Sequence, residues 1–258
     1  MITTHPEELL AFSEQNGVTH IYLYIDRKNV APEEYSRFIQ EASKREIQVE
    51  ALGGDPSWGL KEKRQYLQEF IEWVASYNTS VDEDARFRGI HLDIEPYLLP
   101  AWETDQERVV EEWLSNMEFA VNQARWLGGY HVSADVPFWI HQIGVPGYEN
   151  NDAGRWMLQR FDTLVLMDYR DRAAGSNGII SNGIDMVAEA SSLNTSVVIG
   201  VEMAPSSESG ATTFYEEGTE VMERELDMTR RYFEPYSGFQ GVAVHGFTEW
   251  MSADQKGE

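Results

Sequence analysis

Apolar residues recur along the chain with two alternating periods, one near two residues and one near 3.6, the mark of βα units that feed a parallel sheet. Short apolar runs predict strands at residues 20–26, 48–52, 88–93, 130–135, 163–168, 196–201 and 238–245. Helical spacing predicts helices between them at residues 7–16, 32–45, 60–77, 105–127, 152–160, 184–193 and 215–233. The fourth helix is the best delimited, with Thr104 and Glu107 spaced as a capping box and Gly128-Gly129 as its stop.

Strand and helix alternate from a first helix to a last strand, so the expected architecture is α/β, a (β/α)8 TIM-type barrel lacking its first strand in this chain. That strand is expected upstream of Met1, and the last helix is expected to be shortened. A single domain over residues 1–258 suits this architecture, since α/β barrels of this length form one core. Residues 79–86 read as a polar, acidic, solvated connection. No repeat, low-complexity tract or linker interrupts the pattern.

The richest chemistry falls on residues 88–95, Arg-Gly-Ile-His-Leu-Asp-Ile-Glu, where Pro96 ends the strand ladder. Alternation predicts that His91, Asp93 and Glu95 share one face, with the Cα atoms of the two acids roughly 6.5–7 Å apart. Two neighbouring carboxyls raise each other's proton affinity, which suits acid catalysis. His91 lies one layer deeper and reads as a hydrogen-bonded core residue.

In a barrel the carboxyl ends of the strands carry the site. The residues expected there are Asp26, Gly53, Gly54, Asp55, Trp58, Asp93, Glu95, Tyr97, Trp102, Asp135, Trp139, Asp168, Tyr169, Arg170, Glu202, His245, Glu249 and Trp250. Aromatic side chains stack on the apolar faces of sugar rings while acids bond the hydroxyls, so the expected ligand is a carbohydrate. Trp58, Tyr97, Trp139, Asp168, Arg170, His245 and Trp250 are the candidate substrate-binding residues. A lone acid such as Asp26 or Asp135 reads as a cap for loop amides. Trp73, Trp113, Trp126 and Trp156 fall on helices and read as packing residues.

A net charge of −24, with five lysines against fifteen arginines, repels phosphates and makes nucleic acid an unfavoured partner. The same imbalance suits a highly solvated surface, a salty environment or, more weakly, a cationic polymer substrate. No apolar stretch approaches the length of a membrane span, so insertion is not expected. The chain has no cysteine, which excludes disulfides and thiolate chemistry. The first residues do not have a signal-peptide layout, yet export stays open because a segment ahead of Met1 could carry one.

Residues Arg88-Gly89-Ile90-His91-Leu92-Asp93-Ile94-Glu95 resemble the Asp-Gly-x-Asp-x-Asp-x-Glu signature of glycoside hydrolase family 18, the chitinase-like barrels. Ala51-Leu52-Gly53-Gly54 is similar to that family's Ser-x-Gly-Gly. Met167-Asp168-Tyr169-Arg170 is similar to its Met-x-Tyr-Asp, and Gly241-Val242-Ala243-Val244-His245 to its Gly-x-x-x-Trp. The resemblance implies a substrate-assisted route in which Glu95 protonates the glycosidic oxygen. Asp93 would orient the substrate's 2-acetamido group, and Tyr169 would bond its carbonyl. No cofactor and no metal are expected. Arg88 and His91 replace the two outer aspartates, and His245 replaces the tryptophan.

Other readings stay open on the sequence alone. Glu202, ending its strand, could be the nucleophile of a retaining pair with Glu95, whose carboxyls would then lie about 5–5.5 Å apart. A metal-dependent hydrolase could draw on His91, Asp93, Glu95, Asp168, Glu202 and His245, although no close pair of ligand residues supports it. A non-catalytic carbohydrate-binding barrel is the remaining alternative.

Overall fold

The computed structural model describes residues 1–147, 151–207 and 209–257. Its chain divides into two compact units, Met1–Ser133 and Ala134–Glu258. Both are α/β, with helices alternating with parallel strands.

The first unit runs α1 (Pro6–Gln15), β1 (His20–Tyr24), α2 (Pro32–Ser43), β2 (Gln48–Gly53), α3 (Arg64–Ser80), β3 (Gly89–Asp93), α4 (Pro100–Thr104) and α5 (Gln106–Gly128). Strand β2 lies between β1 and β3, with Tyr22 opposite Glu50 and Glu50 opposite Gly89. Strand β4 (His131–Pro137) starts in this unit and ends in the next. The second unit continues with α6 (Ala153–Leu158), β5 (Thr163–Met167), α7 (Ile179–Leu193), β6 (Ser196–Glu202), α8 (Thr219–Phe233), β7 (Phe239–His245) and α9 (Phe247–Gly257). There β6 lies between β5 and β7.

Helix α5 shows how the pattern produces the packing. Its buried residues Val109, Val110, Trp113, Leu114, Met117, Ala120, Val121 and Ala124 recur every three or four positions and form one apolar stripe. It stops at Gly129, whose φ of 62° is the left-handed conformation that glycine tolerates. Its start differs from expectation. No capping box forms: Thr104 ends α4 and turns its hydroxyl to Ala101 O, while Asp105 pairs with Arg108 at 2.7 Å instead of capping. Trp126 is a second correction, since this helical tryptophan is 79% exposed on the side of α5 away from the stripe. Trp113 and Trp156 are buried as packing residues.

All seven expected strands form, shifted by a residue or two at their ends. Helix α9 follows β7 directly, where a shortened last helix is expected. Strand β3 stops at Asp93, two residues before the expected end of the ladder. Glu95 has left the extended region, with φ −110° and ψ 68°.

Candidate active site

The loop after β3 is built by one short turn. Pro96 fixes the chain direction after Glu95, and Pro96–Leu98 form a 3-10 turn closed by Leu98 N–H to Glu95 O at 3.0 Å and Leu99 N–H to Pro96 O at 3.1 Å. Asp93 and Glu95 are half-buried and Ile94 between them is buried. The Tyr97 hydroxyl donates to Glu95 Oε2. The Tyr97 ring meets Trp102 edge-on, with centroids 6.1 Å apart.

The Gly53-Gly54 pair keeps this strand end close to its neighbour. A Cβ on Gly54 would sit 1.7 Å from the backbone oxygen of Asp93, and one on Gly53 would sit 2.7 Å from the Phe70 ring. These glycines are needed for close approach, and neither has positive φ. Trp58 follows in the turn Pro56–Gly59, half-buried against Phe70 at 6.0 Å, while Asp55 caps that turn by accepting from Ser57 N–H at 2.8 Å. Asp26 plays the same part after β1, accepting from Lys28 and Asn29 N–H.

His91 is fully buried, as expected of a core residue. Its Nδ1 lies 2.7 Å from the Ser133 hydroxyl and its ring stacks on Tyr22 at 4.0 Å. The Ser133 hydroxyl donates to Glu50 Oε2 at 2.6 Å, and His131 Nδ1 lies 2.9 Å from Glu50 Oε1. Gly89 opposite Glu50 leaves the necessary gap, since a Cβ there would come within 2.9 Å of the Glu50 carboxyl carbon. Burial pushes the Glu50 carboxyl up, but the bonds from His131 and Ser133 and the neighbouring imidazole charge hold it below the usual carboxylate range. Sequence reasoning missed this network, whose members come from three strands.

In the second unit, Glu202 ends β6 and His245 ends β7, and the two are paired in register. His245 Nδ1 lies 2.6 Å from Glu202 Oε2, and Glu202 Oε1 accepts from Met203 N–H at 2.7 Å and Ala204 N–H at 2.6 Å. Gly246 makes room for this arrangement: its φ is 76°, and a Cβ there would meet Glu202 Oε1 at 2.7 Å. Burial pushes the Glu202 carboxyl up, yet the bond from His245, the two backbone N–H groups and the imidazole charge bring it below its ordinary value. Tyr169 completes the cluster, its hydroxyl 3.3 Å from His245 Nδ1 and its ring nearly parallel to the imidazole.

Two expected site residues fall elsewhere. Asp168 is fully buried and faces α7, where Asn182 Nδ2 donates to its Oδ1 at 2.9 Å. Asp168 lies just past the end of β5 at Met167, and its N–H bonds to Leu166 O at 2.8 Å and to Gly200 O at 2.9 Å. Burial pushes the Asp168 carboxyl up to about 7. Trp250 is not a loop aromatic: it lies on α9, buried and edge-on to Phe247 at 6.2 Å. Arg170 is half-buried over the Phe138 ring at 4.9 Å and donates to Asn177 at 3.1 Å; Trp139 and Asp135 are half-buried at and beyond β4. Among the described residues, no group of three or more His, Asp or Glu is gathered to hold a metal ion. Nor is any helix among them long and apolar enough to cross a membrane.

The fold is similar to those of solved chitinases and of a cortex-lytic enzyme. A chitinase from Chromobacterium violaceum ATCC 12472 matches 96% of this chain and 94% of its own at 12% identity, with a TM-score of 0.57. The spore cortex-lytic enzyme SleL of Bacillus megaterium QM B1551 matches 96% of this chain and 70% of its own at 12% identity, with a TM-score of 0.58. A mutant GH18 chitinase from Cycas revoluta, solved in complex with (GlcNAc)4, matches 97% and 94% at 12% identity, with a TM-score of 0.54. No protein-family model and no curated protein sequence matches the chain. At such low identity the likeness is one of fold.

Proposed function

We propose that the protein is a glycoside hydrolase of family 18 type, built on a TIM-type barrel and acting on a polysaccharide or oligosaccharide, with Glu95 as the general acid. The observation that carries this reading is Glu95 itself, half-buried just beyond β3, hydrogen-bonded by Tyr97 and two residues after Asp93. The alternation of helices with parallel strands and the likeness to chitinase folds support it. Asp93 and Tyr169 are assigned the substrate-assisted roles that the motif resemblance implies, orienting and bonding a 2-acetamido group.

Glu202 is less suited to be a nucleophile. One of its oxygens is held by two backbone N–H groups and the other by His245, an arrangement that fits a carboxylate orienting an imidazole. Because the Cycas chitinase was solved with (GlcNAc)4, N-acetylglucosamine oligomers are the first substrates to test.

The test is Glu95→Gln on a panel of amino-sugar and plain hexose polymers. The variant should keep its circular dichroism spectrum and lose at least about 100-fold in turnover. Undiminished turnover removes Glu95 as the acid. Oligosaccharide binding by the wild-type protein without any product would favour a non-catalytic carbohydrate-binding barrel.

A further inference from the structure

Resting on that reading, we propose that Tyr97 is the positioning residue of Glu95: its hydroxyl holds Oε2, so that the catalytic proton leaves from Oε1 and the charge left behind is already bonded.

The backbone sets the pair. Glu95 precedes the turn Pro96–Leu98 and Tyr97 is its middle residue, and the bonds from Leu98 N–H to Glu95 O and from Leu99 N–H to Pro96 O hold it shut. Packing fixes the turn further. Pro96 is buried against Gly59, where a Cβ would come within 2.9 Å of the Pro96 Cβ. Trp102 of α4 braces the Tyr97 ring from the side, with ring planes 77° apart. A donor held this way loses little freedom when its bond strengthens, which is the condition for preorganised stabilisation.

The chemistry follows from what each group can donate. A protonated carboxyl has one O–H and one carbonyl-type oxygen, and a phenol O–H needs an acceptor, so Tyr97 on Oε2 leaves the proton on Oε1. As the glycosidic bond breaks, that proton passes from Oε1 to the leaving oxygen, which keeps the bonding electron pair. The anomeric carbon is taken by the nucleophile of the proposed route, the substrate's own acetamido oxygen. Glu95 thereby changes from neutral acid to carboxylate. A hydrogen bond to an ionised acceptor is roughly twice as strong as one between neutral groups, so the Tyr97 bond gains strength as the reaction proceeds. It therefore favours the transition state over the bound substrate.

Tyr97→Phe tests this, because it removes the hydroxyl and leaves the ring against Trp102. Two substrates are compared, a chito-oligosaccharide whose sugar leaving group needs a proton and a dinitrophenyl chitobioside whose leaving group does not. The expected result is a roughly ten- to hundredfold loss of kcat on the oligosaccharide, little loss on the dinitrophenyl substrate and an unchanged KM. Equal losses on both substrates, or none on either, overturn the proposal. Glu95→Gln is the control. If its loss depends on the leaving group while that of Tyr97→Phe does not, the acid stands and the positioning role falls. If its loss does not depend on the leaving group, Glu95 is not the acid and both fall, as they do if wild-type protein cleaves neither substrate. Trp102→Ala, which loosens the brace and keeps the hydroxyl, should give a smaller loss with the same leaving-group dependence should Tyr97→Phe fail to fold; equal effects on both substrates would again overturn it.

Discussion

His245 directs its Nδ1 at Glu202 from 2.6 Å, and the carboxylate it meets is already held on its other oxygen by the amides of Met203 and Ala204. A carboxylate below its ordinary range can only accept, so the imidazole proton sits on Nδ1.

This arrangement separates two chemical roles for Glu202. If it orients His245, azide added to Glu202→Ala should restore no turnover and form no glycosyl azide. Appearance of a glycosyl azide would establish Glu202 as a nucleophile. A nitrogen-15 imidazole spectrum of Glu202→Gln should also show a shift in the tautomer of His245. An unchanged tautomer would separate the two residues.

Asp168 should make stability fall as pH rises. Its carboxyl has an ordinary value of 3.8 and is pushed up to about 7 in the folded chain, first by burial and against the pull of Asn182 and Arg170. Between those values the folded state binds a proton that the unfolded state has lost, so stability declines through that window by up to about 4 kcal/mol. Asp168→Asn should therefore melt at a higher temperature than wild type at pH 8 and at nearly the same temperature at pH 4. Equal melting at pH 8 would show that the carboxyl is not held neutral.

Glu50 works in the opposite sense. Its folded carboxyl lies below the ordinary 4.5, so its contribution is present above that pH and is lost as pH falls through the folded value. Glu50→Gln should lower the unfolding free energy at pH 7 by about 3 kcal/mol, because it breaks a buried charge pairing. At pH 3.5 the difference from wild type should shrink. Urea unfolding at both pH values decides it.

Gly54→Ala should cost about 3 kcal/mol or more, since its methyl group would overlap the backbone oxygen of Asp93 at 1.7 Å. Gly144→Ala is the control, with nothing within 4 Å of the added Cβ, and should stay within about 0.5 kcal/mol of wild type. Similar losses from both would show that the two strand ends can part.

The sequence marks the strands well because parallel strands buried on both faces are continuous apolar runs, as in Leu164-Val165-Leu166 and Val197-Val198-Ile199. It marks α5 because apolar spacing and a terminal Gly-Gly agree. Orientation just past a strand end is less legible. Motif matching sets Asp168 beside Tyr169 in the site, but its buried carboxyl meets Asn182 of α7 instead. Long-range pairing is invisible in the same way: Glu202 and His245 stand 43 residues apart in the chain. The helical place of Trp250 escapes notice because α9 begins at Phe247, one residue past the positive φ of Gly246 and two past the end of β7. The bond from Tyr97 to Glu95 is local, and Glu-Pro-Tyr is its only trace in the sequence.

The turn at Pro96–Leu98 makes the proposed acid and its helper one cassette of three consecutive residues. Whatever the chain does beyond Leu99, whether it lengthens, shortens or changes its aromatic residues, the two side chains travel together. Such a segment lets the surroundings of a proton donor diversify while the donor keeps its aim, so new ligands can be accommodated through the neighbouring loops without rebuilding the chemistry.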